Sequence, residues 1–310
     1  MSRERIKVLY ISGWGRSGST ILSNILGQVE GFFPVGEIRF IWTRNLLENR
    51  LCGCSVPFMN CEIWQKIFTE AFGGFEKVDA NRVAHLCERF TRTRQVPRML
   101  FMPHKMKSHP DMIEYLDHLD KLYRAIQSVT GCRVIVDSSK YPSYASILDL
   151  LPNLDLYVVH LVRDSRAVSF SWSKKKRQPD STIDEYMIQF SPYQSSMIWN
   201  SWNILTELFW GRTPGKYLLL RYEDFMSDPR SAIQRIMDLV REEVETSPIV
   251  DGNNICLLPN HTLSGNPVRF QEGVLTLKLD DEWREKMKPS SNLVTTLLTW
   301  PLLLKYQYLS

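Results

Sequence analysis

The sequence predicts an α/β fold, a P-loop-like, doubly wound parallel sheet flanked by helices, and three observations lead there. Its 310 residues are 44% hydrophobic and 23% charged, a balance that allows one large core and excludes disordered, collagenous and fibrous classes. Short β-branched apolar runs alternate with helix-like runs in four strand-loop-helix units, and such alternation folds as a parallel sheet covered on both faces. The first unit turns through a glycine-rich loop, in the place where open sheets of this kind bind ligands, beyond the carboxyl ends of their strands.

Taken in order, Ile6 to Ile11 reads as the first strand and Ile21 onward as the first helix. The stretch from Phe32 to Thr130 is too long for a simple crossover and reads as a helical insertion, about residues 40–130, within the same domain. Arg133 to Val136 begins the second unit, whose helix falls near Ala145 to Leu151. Leu154 to Val162 begins the third, with a helix from Ala167, and Tyr217 to Leu220 begins the fourth, with a helix from near Arg230. A C-terminal segment and arm, about residues 250–310, complete a single domain over residues 1–310. There is no low-complexity linker and no repeat of fixed period.

Lys and Arg number 38 against 34 Asp and Glu, a net charge of +4 that is too small and too dispersed for a nucleic-acid binder and suits an anionic small molecule. Six cysteines are too few for a disulfide scaffold, and MSRER runs straight into a short apolar stretch without a signal-peptide pattern, so the expected compartment is reducing and cytoplasmic. The apolar stretch from Leu297 to Leu304 is interrupted by Thr299 and Pro301 and is too short for a stable membrane anchor.

Gly13-Trp14-Gly15-Arg16-Ser17-Gly18-Ser19-Thr20 joins strand to helix, where glycines let the backbone wrap an anion and the helix start offers free N–H groups. Gly13 and Gly18 have Walker spacing, but Ser19 stands where a nucleotide triphosphatase carries the lysine that neutralises the β- and γ-phosphates. Arg16 offers a positive charge from within the loop instead. The plainer alternative is a glycine-rich turn without a ligand.

Arg16-Ser17-Gly18-Ser19-Thr20 resembles the 5′-phosphosulfate loop of sulfotransferases that use 3′-phosphoadenosine 5′-phosphosulfate, PAPS, and Gly15 belongs to the same loop. Leu161 to Ser171 resembles the family's 3′-phosphate segment, an apolar strand ending in Arg163-Asp164 with Ser171 eight residues after the arginine. A donor with a second, dianionic phosphate needs such an arginine and hydroxyl apart from the glycine loop. His261 to Phe270 resembles a segment of the family's bacterial and carbohydrate branches, which implies closure over the nucleotide by Ser264 and Asn266, with Arg269 available to the 3′-phosphate. By itself, Ser264-Gly265-Asn266-Pro267 reads as a turn.

Sulfuryl transfer needs a base for the acceptor proton and cations for the oxygens, and no metal. Phe33 to Arg39 resembles the Gly-Glu segment of tyrosylprotein sulfotransferases, which makes Glu37 the candidate base; a solvated loop carboxylate or a partner of Arg39 is the alternative. Asp137-Ser138-Ser139-Lys140 lines up with the segment that supplies a catalytic lysine in that branch, so Lys140 would steady the bridging oxygen beside Arg16, and Ser138 or Ser139 could bind the donor. Val134 to Asp137 also looks like a Walker B strand with an Mg²⁺-binding aspartate, the best support for a second reading, a metal-dependent P-loop kinase. A third is a nucleotide-binding scaffold without catalysis. Should Glu37 fail as base, Asp137 and His261 come next.

Cys52, Cys54 and Cys61 fall close together but lack a fourth ligand nearby in sequence, so they read as buried or loop thiols rather than a zinc site. His104 and His109 read as surface residues, and Lys174 to Arg177 as a solvated helix end that could attract an acidic acceptor. Met197, Trp199, Trp202 and Phe209 have helical spacing and read as core or acceptor-pocket wall. The expected acceptor is a small-molecule or glycan hydroxyl, on a sugar, lipid or small natural product; a protein tyrosine or an amine stays open.

Overall fold

The computed structural model describes residues 5–178, 180, 186–243 and 248–309. Five strands, β1 (Ile6–Ser12), β2 (Phe32–Gly36), β3 (Val134–Lys140), β4 (Leu154–Val162) and β5 (Tyr217–Arg221), form one sheet in the order β2-β3-β1-β4-β5. Every neighbouring pair is parallel. The α/β class and the four expected units are therefore present, together with one strand that the sequence reading assigned to the insertion. That strand, β2, is Phe-Phe-Pro-Val-Gly at the sheet edge. Pro34 cannot donate to a ladder, which an edge tolerates, and the same proline hides the strand signal in the sequence.

Alternate side chains of β1 go to opposite faces. Val8 and Tyr10 join a core completed by helices Glu62–Phe72, Ala80–Thr91 and Pro110–Thr130 of the insertion. Leu9 and Ile11 join the other core, packed by α1 (Ser19–Leu26) and helix Pro229–Val240. Both faces are dry, which is why the strands read as continuous apolar runs rather than alternating ones. A small antiparallel sheet, β6 (Ile249–Asp251), β7 (Asn254–Leu257) and β8 (Gly273–Thr276), extends the second core through Ile249, Ile255 and Leu257.

Helix Pro289–Lys305 packs on helices Ser165–Ser173 and Pro192–Trp210 and runs through Pro301 rather than stopping there. The Asn200 amide donates to the Leu298 carbonyl at 2.8 Å, supplying one of the carbonyls near the proline with a partner from outside the helix. Among the described residues no helix is long and apolar enough to cross a membrane.

The strand order reverses at β1: the chain leaves it toward β2 and β3 on one side and β4 and β5 on the other. A crevice opens at such a switch point, at the carboxyl ends of the strands.

Candidate active site

All five strands deliver a residue to that crevice, a cavity of about 550 Å³. β1 is followed by Gly15 and Arg16, β2 by Glu37, β4 by Arg163 and β5 by Tyr222, while β3 ends in Lys140 itself, and all six residues line the cavity.

The glycine loop has little freedom to be anything else. Gly13 has φ 137°, and a Cβ there would lie 2.3 Å from the Leu161 carbonyl oxygen. Gly18 has φ 89° and abuts the Tyr222 ring, where a Cβ would lie 2.7 Å away. Gly18 is also the N-cap of α1 and offers no side-chain cap, so the N–H groups of the first turn remain available at the cavity wall. Ser19 and Thr20 line the cavity. The Ser17 hydroxyl does not; it donates to the Trp14 carbonyl at 2.7 Å and braces the loop.

Arg163 lies under the loop. It donates to the Arg16 carbonyl at 3.0 Å and to the Asp280 carbonyl at 2.6 Å, pairs with the Asp280 carboxylate at 3.1 Å, and stacks on Tyr222 at 4.4 Å. Its Nε is buried without a partner. Ser171, on helix Ser165–Ser173, lines the same cavity. The two segments expected to bind separate phosphates thus meet in one site.

Glu37 and Lys140 form a mostly buried ion pair. Lys140 takes a positive φ of 73°, uncommon for a residue with a side chain, and its placement is held by neighbours: Ser139 N–H donates to Asp137 at 2.8 Å and Tyr141 N–H to the Ser139 carbonyl at 2.9 Å. Burial pushes the Lys140 ammonium down, Glu37 holds it up, and Arg44 and Arg16 push it down again. Burial likewise lowers Arg16, and burial with Arg16 and Lys174 lowers Lys176. The cavity wall is a crowd of cations, with Glu37 and Asp280 the acidic residues among its described lining. Lys176 belongs to the basic run, so part of that run faces the cavity rather than solvent alone.

Asp137 is turned away. Its carboxylate takes hydrogen bonds from the Tyr123 hydroxyl at 2.6 Å and from Ser139 N–H, and burial pushes it up to about 6. It does not line the cavity, and neither do Ser138 and Ser139; the Ser139 hydroxyl accepts from Arg39 N–H at 3.0 Å. A Walker B aspartate would have to face the phosphates, so the structural support for the kinase reading is missing.

The capping segment divides. Gly265 and Asn266 line the cavity, Gly265 beside Glu37 and Thr20. The buried Ser264 hydroxyl has no partner and lies outside the lining. The expectation that Arg269 serves the 3′-phosphate is corrected by its position. It is 1% exposed, paired with Asp180 at 3.0 Å, and bonded to the carbonyls of Thr262 and Leu51 at 2.7 and 2.8 Å, outside the cavity lining. Its two terminal nitrogens are used in tying three chain segments together, and its Nε is buried without a partner outside the cavity lining.

Sequence reasoning missed the aromatic wall beside the loop. Trp14 stacks on Trp172 with centroids 5.0 Å apart and meets Trp202 edge-on at 4.8 Å, and Trp202 touches Tyr141 at 4.3 Å. Trp202 was legible as a candidate from its helical spacing; Trp172 and Tyr222 carried no signal beyond standing just after a strand-end motif. His261 is also displaced from its expected place: it lies outside the cavity lining, against Cys52, Cys54 and Cys61.

Among curated protein sequences none matches the chain. The sulfotransferase domain from the curacin biosynthetic pathway superposes with a TM-score of 0.53 at 18% identity, covering 97% of this chain and 98% of that one. The sulfotransferase domain of the Synechococcus PCC 7002 olefin synthase gives 0.50 at 20%, covering 97% and 96%. At such identities these likenesses speak to the fold. A family model described as the sulfotransferase family matches residues 9–246, most of the sequence, taking in the second half of β1 and all of β2 to β5. The chain therefore belongs to the sulfotransferase family, whose reaction in general terms is the transfer of a sulfuryl group.

Proposed function

We propose that the protein transfers a sulfuryl group from PAPS to an acceptor hydroxyl, releasing adenosine 3′,5′-bisphosphate. The observation that carries this reading is the convergence, in one cavity, of the glycine loop, of Arg163 with Ser171, and of the Glu37–Lys140 pair. The glycine loop and the first turn of α1 would hold the 5′-phosphosulfate, and Arg163 with Ser171 the 3′-phosphate. The unpartnered Nε atoms of Arg16 and Arg163 are donors that such an anion would satisfy. The donor supplies an activated SO₃ group on a phosphate leaving group.

The chain's own residues supply the rest. Glu37 takes the proton of the acceptor hydroxyl as its oxygen attacks sulfur. Lys140 and Arg16 face the oxygen that bridges sulfur and phosphorus, where charge grows as that bond breaks. The Glu37–Lys140 pair holds the two side chains side by side at the cavity wall before the acceptor arrives. Trp14, Trp172, Trp202 and Tyr141 present flat apolar faces beside the loop, suited to a sugar face or the carbon skeleton of a lipid or small natural product. None of the six cysteines is joined in a disulfide, which suits the reducing, cytoplasmic setting expected from the sequence.

Two measurements test this. Adenosine 3′,5′-bisphosphate should raise the melting temperature well above the shift given by ATP with Mg²⁺, since a ligand of the native state stabilises it. Equal or greater stabilisation by ATP overturns the donor assignment. Labelled PAPS with a panel of acceptors, read by mass, should then give one product heavier by SO₃, without added Mg²⁺.

A further inference from the structure

The three cysteines of the insertion gain from the fold the fourth donor that their sequence neighbourhood lacks. The sulfurs of Cys52, Cys54 and Cys61 and a ring nitrogen of His261 all lie within 4.8 Å of one another. Cys54 and Cys61 sulfurs are 3.7 Å apart, and His261 Nδ1 is 3.3 Å from the Cys61 sulfur and 3.9 Å from that of Cys52. A tetrahedral zinc ion with sulfur at about 2.3 Å and nitrogen at about 2.0 Å has edges of roughly 3.8 Å between sulfurs and roughly 3.5 Å between sulfur and nitrogen. The three separations given above lie within about 0.4 Å of those edges, and the other three stay within 4.8 Å. A disulfide would need two sulfurs about 2.05 Å apart and would leave the imidazole without a role.

The chain around the four donors is built to hold them. Cys52 N–H donates to the Val56 carbonyl at 2.8 Å, which curls the loop so that Cys52 and Cys54 share a side. Gly53 N–H donates to the Thr262 carbonyl at 2.9 Å, and the indole of Trp64, on the helix that follows Cys61, donates to the His261 carbonyl at 2.9 Å, so two successive carbonyls of the histidine segment are held from the cysteine side. Cys52 and Cys61 are buried, Cys54 and His261 half-buried.

We propose that Cys52, Cys54, Cys61 and His261 hold a structural zinc ion that fastens the 261–266 segment to the cysteine loop behind Glu37. Three thiolates and one imidazole fill a tetrahedron and leave no open position for catalysis. Its location gives the ion a purpose. Two residues beyond His261, Leu263 accepts from Glu37 N–H at 2.7 Å and donates to the Val35 carbonyl at 3.0 Å. Two residues further, Gly265 and Asn266 reach the cavity. The matched family range ends before His261, so the ion would join that core to the capping segment beyond it. Metal uptake releases the thiol protons to solvent and changes no oxidation state.

The test uses the full chain, purified without chelator from zinc-replete cells, and reads metal rather than activity, so it stands apart from the donor and acceptor assignments. Elemental analysis should find about one zinc per chain. Cys61→Ser and His261→Ala should each lose most of it, while Cys256→Ser, remote from the cluster, keeps it. Because the ligand variants could misfold, the wild-type chain supplies a second measurement. Cobalt(II) exchanged into it should give the intense visible bands of tetrahedral thiolate coordination, and stripping zinc with a mercurial reagent should lower the melting temperature by roughly 10 °C or more. Native protein that carries no zinc, takes up no cobalt with those bands and shows all six thiols reactive overturns the proposal. So does a Cys54–Cys61 disulfide found by mass spectrometry in freshly purified protein, or stoichiometric zinc unaffected by both ligand substitutions.

Discussion

Two arginines, Arg163 on the rim of the sheet and Arg269 in the capping segment, look alike in sequence and in burial, yet their surroundings give them opposite work. Arg163 follows a strand, is 5% exposed, lines the cavity and spends its terminal nitrogens on the Arg16 carbonyl and the half-exposed Asp280. Arg269 stands after a turn, is 1% exposed, and its terminal nitrogens are engaged by Asp180, Leu51 and Thr262. The rim is set by local rules, because whatever follows a parallel strand of this sheet arrives at its carboxyl edge. The cap is set by long-range closure, and there the partner of a charged side chain is settled by segments far away in the chain.

Glu37 belongs to both regions, its backbone bonded to Leu263 of the cap and its carboxylate paired with Lys140 of the rim, so it gives the largest effect expected. Glu37→Gln keeps the shape and removes the base, and should slow transfer by roughly 10² to 10⁴ while bisphosphate affinity stays within about threefold. Arg16→Ala should lower donor affinity as well as rate, and Lys140→Ala mainly rate. Full turnover by Glu37→Gln with a good acceptor would remove the base from the rim altogether.

The same division explains what could be read beforehand. Leu154–Val162 emerges as a strand with the bounds read from the sequence, and Gly13 to Thr20, Lys140 and Arg163 fall where strand-loop-helix logic puts them. β2 escaped because its signal is five residues long and contains Pro34. The fourth donor beside the cysteines escaped because His261 lies 200 residues beyond Cys61, and no spacing rule spans such a distance. Arg269 was misassigned for the same reason: resemblance supplied a charge near the nucleotide, but Asp180, its buried partner, carried no mark in the sequence.

Breaking the cap arginine should therefore cost stability rather than recognition. Arg269→Ala takes from the buried Asp180 its closer arginine, leaving Arg50 at 3.8 Å, and leaves the Leu51 carbonyl without this donor and the Thr262 carbonyl with Gly53 N–H; losing one member of a buried pair costs about 3–5 kcal/mol, or roughly 10 °C in melting temperature. The ratio of affinities for adenosine 3′,5′-bisphosphate and AMP should stay as in the wild type. A changed ratio without loss of stability would return Arg269 to the phosphate site.

Arg163→Ala should do the reverse. The charge-assisted bonds to a 3′-phosphate are worth about 1.5–3 kcal/mol, so bisphosphate binding should weaken by roughly 10- to 150-fold, with AMP little changed. Calorimetric titration of both ligands reads this directly, and an equal loss for the two would mean that Arg163 acts by bracing the loop through the Arg16 carbonyl instead.

The smallest effect concerns what Arg163 holds in the absence of ligand. The Asp280 carboxylate sits 3.1 Å from the guanidinium, is 48% exposed at its side chain, and is one of two acidic groups among the described residues of a wall otherwise rich in cations. A phosphate arriving at Arg163 must displace or repel this carboxylate, and a partly exposed ion pair is worth about 0–1 kcal/mol. Asp280→Asn preserves the backbone carbonyl that also accepts from Arg163, removing the competing charge alone. It should tighten bisphosphate binding by about two- to fivefold, and the gain should shrink as salt is raised, since screening weakens the repulsion that the substitution removes. AMP, without a 3′-phosphate, should gain less. A loss of affinity for both ligands would mean that Asp280 positions Arg163 rather than competing for it.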